Sequence, residues 1–200
     1  MKYQFNAHFE KNVNKKNEIY EKGLNEYPND TDLIGQYAVF LSDIFKDYDK
    51  AEEYFKKAIE LKPEDADYIV DYALFLKNIR KNYDKAEEFY KKAIELKPED
   101  ADNIGSYAIF LYDIRKDYDK AEDYYKKAIA LKPEDAANIG NYAFFLSAIR
   151  KDYDTAEEYY KKAIELELMM LPLLATMLYS VKIFGRTMIK QKSITKKQLS

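Results

Sequence analysis

No cysteine and no tryptophan occur in the 200 residues, and histidine occurs once, at His8. The missing cysteines exclude a disulfide framework, a thiolate metal site and a cysteine nucleophile. A lone histidine excludes any centre that needs two, the usual zinc clusters among them. Five glycines and five prolines are too few for a turn-rich β architecture, while 47% apolar residues is too many for a disordered chain. Neither sign of charge dominates: 33 Lys and Arg face 36 Asp and Glu, a net of −3, so no global attraction to nucleic acid is expected. Met1 to Glu10 holds no long apolar run, which argues against a signal peptide. Together with the absent cysteines this sets the expectation of a reducing, cytoplasmic location. No phosphate-cradling glycine motif of either common type is found.

What the chain does contain is a period. Four of its five prolines stand 35 residues apart, at Pro28, Pro63, Pro98 and Pro133. The same step links Ala38, Ala73, Ala108 and Ala143, and again Ala51, Ala86, Ala121 and Ala156. Residues 67–101 and 102–136 agree at 25 of 35 positions. Self-similarity at a fixed period of this length means stacked copies of one supersecondary unit.

Each copy reads as two helices. In residues 102–136, Ile104, Tyr107, Ala108, Leu111 and Ile114 follow the spacing of one helical face. Arg115 to Asp119 interrupts it, and Asp119 with Glu122 three residues later has the spacing of a capping box. A second apolar face follows through Ala121, Tyr124, Tyr125, Ala128, Ile129 and Leu131, until Lys132-Pro133 stops it. Asp135 is placed to start the next copy. Ala108 and Ala121 are small where the two helices should cross, Ala128 where the second helix should meet the next copy, and tyrosines fill the grooves around them. Tyr37, Tyr72, Tyr107 and Tyr142, with the Tyr118 series, are expected in packing rather than base stacking. Glu52-Glu53, Glu87-Glu88 and Glu157-Glu158 point about 100° apart on a helix, so they do not converge on one atom. They read as solvated faces paired with the lysines four residues on.

Asp117-Tyr118-Asp119-Lys120-Ala121, followed by Tyr125, Ala128 and Pro133, resembles the second half of a tetratricopeptide repeat, and Ile104, Tyr107, Ala108 and Leu111 stand at that family's first-helix signature positions. The resemblance covers residues 32–66, 67–101, 102–136 and 137–166, preceded by a degenerate half-unit over residues 1–31, in which Tyr20, Gly23, Leu24 and Pro28 stay in register and residues 5–15 are a worn first helix. It departs in lacking the signature tryptophan and in its length, 35 rather than 34, the surplus residue being placed near Arg80, Arg115 and Arg150. The 35-residue period also resembles that of pentatricopeptide RNA binders, but the paired alanines, the prolines and the acidic body argue against them.

The resemblance implies an all-α, right-handed superhelical solenoid of antiparallel hairpins, whose first helices line a concave groove for a peptide or partner helix. Carried over, that groove holds Val39, Leu74, Ile109 and Phe144 as an apolar stripe. Gly35, Val70, Gly105 and Gly140 lie one turn earlier, the glycines widening the groove or admitting a ligand backbone. Beside them stand Ser42, Lys77, Tyr112 and Ser147, then Asp43, Asn78 and Asp113, with Asp32, Asp67 and Asp102 on the far rim. Such a stripe suits a protein or peptide with apolar anchors and basic residues. Some family members grip a chaperone's terminal carboxylate with basic side chains. Here the inward positions are Gly35, Val70 and Gly105, flanked by Gln36, Asp71, Ser106 and Asn141, and no basic pair is present.

After Leu166 the pattern breaks. Fourteen uncharged residues precede Lys182, about 21 Å of helix against a hydrocarbon core of about 30 Å. In residues 167–190, Leu174, Met177, Leu178, Val181, Phe184 and Met188 share a face, with Lys182 and Arg186 opposite. This is an amphipathic helix that caps the last repeat or contacts a membrane. The second role gains from the charge: residues 182–200, including a basic tail over 191–200, carry six Lys and Arg and no acid, which leaves −9 on the rest. The expected function is a binding scaffold without catalysis or cofactor. A membrane-associated receptor and a purely structural array remain the alternatives.

Overall fold

A computed structural model of the chain describes residues 2–166, and among these no strand occurs. The amphipathic segment 174–188, with its capping or membrane role, lies outside the described residues. The chain divides into two compact units, Met1–Pro98 and Glu99–Ser200. The first contains α1 (Lys2–Phe9), α2 (Val13–Glu26), α3 (Thr31–Phe40), α4 (Tyr48–Leu61), α5 (Ala66–Phe75) and α6 (Tyr83–Leu96). The second contains α7 (Ala101–Phe110), α8 (Tyr118–Leu131), α9 (Ala136–Phe145) and α10 (Tyr153–Leu166). The worn first helix expected over residues 5–15 is a short helix that ends at Phe9, with α2 already under way at Val13.

Local chemistry sets each boundary. Asp30, Asp65, Asp100 and Asp135 cap the first helices, their carboxylates accepting backbone N–H groups within the first turn. The second helices are capped by Asp47, Asn82 and Asp117, which accept from the N–H of Lys50, Lys85 and Lys120. The cap of α8 is therefore Asp117, not Asp119. The preceding lysine turns the chain early, and Asp119 falls inside the first turn, where it meets Arg150 instead. The second helices stop at the lysine before proline, as Lys132-Pro133 foretells: the N–H of Lys132 donates to Ala128 at 3.0 Å and the chain turns away.

The surplus thirty-fifth residue is absorbed inside the helix rather than in a longer loop. Each first helix continues into a wide π turn: Leu41–Phe45, Leu76–Arg80, Leu111–Arg115 and Leu146–Arg150. A π turn takes one more residue than an α turn. It is closed by a lysine in the left-handed region, Lys46, Lys81, Lys116 or Lys151, with φ between 56° and 65°. The following N–H then reaches back to the leucine that opens the turn, at 3.0 Å for Asn82 to Leu76. Only two residues are left to connect the helices.

Packing follows the small residues. Ala38 and Ala51, Ala73 and Ala86, Ala108 and Ala121, and Ala143 and Ala156 are all fully buried, one on each helix of its pair. Above them the tyrosines of the first helices meet the second helices edge to face: Tyr37 and Tyr54 at 4.8 Å, Tyr107 and Tyr124 at 4.9 Å, Tyr142 and Tyr159 at 5.0 Å. Their hydroxyls reach back one repeat, Tyr72 donating to Glu52 at 3.1 Å and Tyr142 to Glu122 at 3.4 Å.

Arginines reinforce that step. Arg80 donates to Glu52 at 2.7 Å and Asp49 at 2.6 Å while its guanidinium lies over Phe75, and Arg150 repeats the set with Glu122, Asp119 and Phe145. Glu52 and Glu122 thus do more than make the expected pairs with Lys56 and Lys126. In the first repeat Phe45 stands at the arginine position and Asn14 and Asn17 at the acid positions, so the clamp is replaced as a set.

The left-handed lysines carry a backbone cost that glycine does not. Lys81→Gly should raise stability by about 1 kcal/mol in urea titration. An unchanged or lowered midpoint would mean that Lys81 has a role beyond the turn.

Candidate partner-binding face

The first helices of the N-terminal unit leave a cavity of about 550 Å³. Its walls come mainly from α3 and the turn that follows it, with Tyr68 and Asp71 from α5, Gln4 and His8 from α1, and Lys16 and Tyr20 from α2. Asp32, Gly35, Val39 and Asp43, all expected in the groove, line it. A smaller cavity of about 150 Å³ adjoins, with Leu74 and Asn78 in its wall. Val39, Asp43 and Asp71 line both. Of the other expected residues in this unit, Val70 is buried and Lys77 is half-buried.

In the C-terminal unit the expected residues form a ring pair. Phe144 is exposed and packs edge to face on half-buried Tyr112, with centroids 6.1 Å apart. The Ser147 hydroxyl donates to the Phe144 carbonyl at 2.9 Å. Ile109 is half-buried and Asp113 exposed, while Gly105 and Gly140 are buried.

The glycines do not open space for a ligand backbone as expected. A Cβ on Gly35 would lie 2.6 Å from the Tyr68 ring, and one on Gly105 would collide with the Asn138 amide. Both intruders come from the first helix of the next repeat. These glycines let consecutive first helices approach, and the Asn138 amide uses the approach to donate to the Ala101 carbonyl at 3.3 Å.

Electrostatics distinguish the carboxylates of the larger cavity. Asp32 accepts from the Tyr68 hydroxyl at 2.5 Å and from Lys62 at 3.2 Å, and the Tyr68 hydrogen bond above all holds its carboxyl below the usual range. Asp43 accepts from the Ser42 hydroxyl at 3.0 Å. Asp71 goes the other way: burial first, then the charges of Asp67, Asp43 and Asp65, push it up to about 6. Across the cavity the Lys16 ammonium stands 5.6 Å above the Phe40 ring.

Sequence reasoning placed four of this wall's thirteen residues in the groove, Asp32, Gly35, Val39 and Asp43. It missed His8 and Lys16, because α1 and the start of α2 match the period least, and it placed Tyr20 in register without assigning it to the groove. It passed over Tyr68, whose ring fills the gap beside Gly35. Asp71 did carry a signal: the four repeats have Gln36, Asp71, Ser106 and Asn141 at that position, so one copy alone holds an acid.

Among the described residues no cluster of three or more His, Asp or Glu could hold a metal ion, and no helix is long and apolar enough to cross a membrane.

Tandem helix hairpins, with consecutive first helices in contact within each unit, define a helical-repeat protein. A tetratricopeptide repeat model matches residues 44–102, a second matches residues 110–135, and a Sel1 repeat model matches residues 133–168. The chain belongs to the tetratricopeptide repeat family. No curated protein matches it in sequence. Among solved structures it is similar to TTC0263, a thermophilic tetratricopeptide repeat protein of Thermus thermophilus, with 19% identity and a TM-score of 0.72 over 86% of this chain and 91% of that one. It is also similar to MamA from Desulfovibrio magneticus RS-1, at 22% identity and a TM-score of 0.62 over 82% and 93% of the two chains. YrrB, described as a tetratricopeptide repeat protein with an unusual peptide-binding site, aligns at 19% identity and a TM-score of 0.55 over 74% of each chain.

Because the Asp71 carboxyl is raised, its ionised form opposes folding, and stability should increase as pH falls from above 6 toward the usual aspartate range. Asp71→Asn should therefore stabilise the protein at pH 7.5 by on the order of 1–3 kcal/mol, with the gain shrinking to nothing near pH 4. Paired thermal melts at the two pH values check this, and a gain equal at both would contradict it.

Proposed function

We propose that the chain is a non-catalytic scaffold that holds a segment of a partner protein against its first helices. The observation that carries this reading is the cavity of about 550 Å³ walled chiefly by α3, with α1, α2 and α5 completing it, apolar at Val39, Tyr20 and Phe40 and acidic at Asp32, Asp43 and Asp71. Its volume lies within the range of small-ligand and side-chain pockets. The partner segment carries apolar anchors and basic residues, which complement those two kinds of wall. In the C-terminal unit the exposed Phe144 ring on Tyr112, beside Ile109, is the second contact point. Family membership supports the reading, since tetratricopeptide repeats serve broadly as protein-interaction modules, and the peptide-binding site of YrrB is a parallel among proteins of similar fold. The binding array is taken as the half-unit 1–31 and the repeats 32–66, 67–101, 102–136 and 137–166.

Immobilised full-length protein would be used to capture partners from extract. The tightest would then be purified and titrated against wild type, Val39→Glu with Leu74→Glu, and Ile109→Glu with Phe144→Glu. Each pair should weaken binding at least about tenfold, since an acid replaces an apolar contact. A partner that binds both variants like wild type would refute the first-helix face as the binding surface.

A further inference from the structure

We propose that Asp71 makes the N-terminal cavity selective for a positively charged side chain of the bound segment, a lysine or an arginine, and releases it as the solution becomes acidic. This rests on the reading that the first-helix face holds a partner segment, and it adds which chemical group is read and what regulates the reading.

Geometry comes first. Asp71 lies in the wall shared by the two cavities, together with Val39 and Asp43. The rings of Tyr20, Phe40 and Tyr68 line the larger cavity as well. Those surfaces suit the aliphatic stem of a lysine or arginine, whose charged end then faces two carboxylates. The cavity already tolerates a cation, since the Lys16 ammonium stands over the Phe40 ring. Three acids, Asp32, Asp43 and Asp71, line it against Lys16, so a negative excess remains for an incoming cation.

The placement of Asp71 is specific to this repeat. At the corresponding positions Gln36, Ser106 and Asn141 are neutral. Where Asp32 is held by Tyr68 and Lys62, the charges acting on Asp71 are those of other carboxylates, Asp67 and Asp65 from its own helix and cap and Asp43 from the turn that ends α3. A half-buried acid kept among acids lowers the stability of the free protein, and a ligand cation removes that penalty. The groups facing it from the other walls are Asp32 on α3, His8 on α1 and Lys16 on α2, while α4 contributes Phe55. With its carboxyl raised to about 6, Asp71 is ionised at pH 7.5 and mostly neutral at pH 5.

The test uses the full chain and two small probes, Nα-acetyl-arginine N-methylamide and its neutral isostere Nα-acetyl-citrulline N-methylamide, followed by amide chemical shifts. The arginine probe should move resonances of Val39, Asp71 and Leu74 at pH 7.5. Its affinity should fall about tenfold at pH 5, the ratio of ionised Asp71 at the two values. The citrulline probe should bind weakly at both. Asp71→Asn, nearly isosteric and checked for a native spectrum, should bind arginine as weakly at pH 7.5 as wild type does at pH 5. His8→Gln should keep most of the pH dependence. Equal binding of the two probes, no response to arginine, or an Asp71→Asn protein that binds like wild type would overturn the proposal. A partner that is displaced by the Val39 and Leu74 substitutions yet is indifferent to Asp71→Asn would leave the scaffold reading standing and remove this one alone.

Discussion

Two helices can lie close only where the side chains between them are small, and this chain meets that constraint at a fixed interval. Ala38 with Ala51 and each later pair put a methyl group on either helix, all fully buried. Gly35 and Gly105 do the same between consecutive first helices, where Tyr68 and Asn138 occupy the space a Cβ would need. Once those approaches are fixed, the tyrosines have one place to go, their hydroxyls find the acids of the preceding helix, and the first helices stand close enough to wall a cavity. A larger residue at any of these points would push apart elements that several other contacts need close.

Much of this is legible in the sequence because a repeat states each rule several times. The prolines and alanines at a step of 35 mark the hairpins, and the lysine before Pro63, Pro98 and Pro133 marks the end of the second helix. The start of that helix is misread at Asp119. A capping-box spacing is a local signal, and it is overridden by the left-handed Lys116, which begins the helix at Tyr118 with Asp117 as its cap. Positive φ at a lysine has no signature in a single residue. Four copies of the same Lys-Asp or Lys-Asn step are its only trace.

The site is less legible than the fold, for a physical reason. Residues that repeat serve packing, whereas a binding wall is made where copies differ. Gly35 and Gly105 repeat, and they prove to be packing residues. Asp71 does not repeat, and it lies in the wall common to both cavities. His8 and Lys16 come from α1 and the start of α2, the part that matches the period least. Arg80 and Arg150, by contrast, recur and join repeats through Glu52 and Glu122, a role that a linear reading assigns to a loop.

The central claim is that the first helices, and not the second, carry the partner. Hydrogen–deuterium exchange on the full chain, with and without a purified partner, tests it most directly. Backbone amides of α3 and α5 should gain protection on binding while those of α4 and α6 change little. Protection confined to the second helices, with α3 and α5 unaltered, would contradict the account.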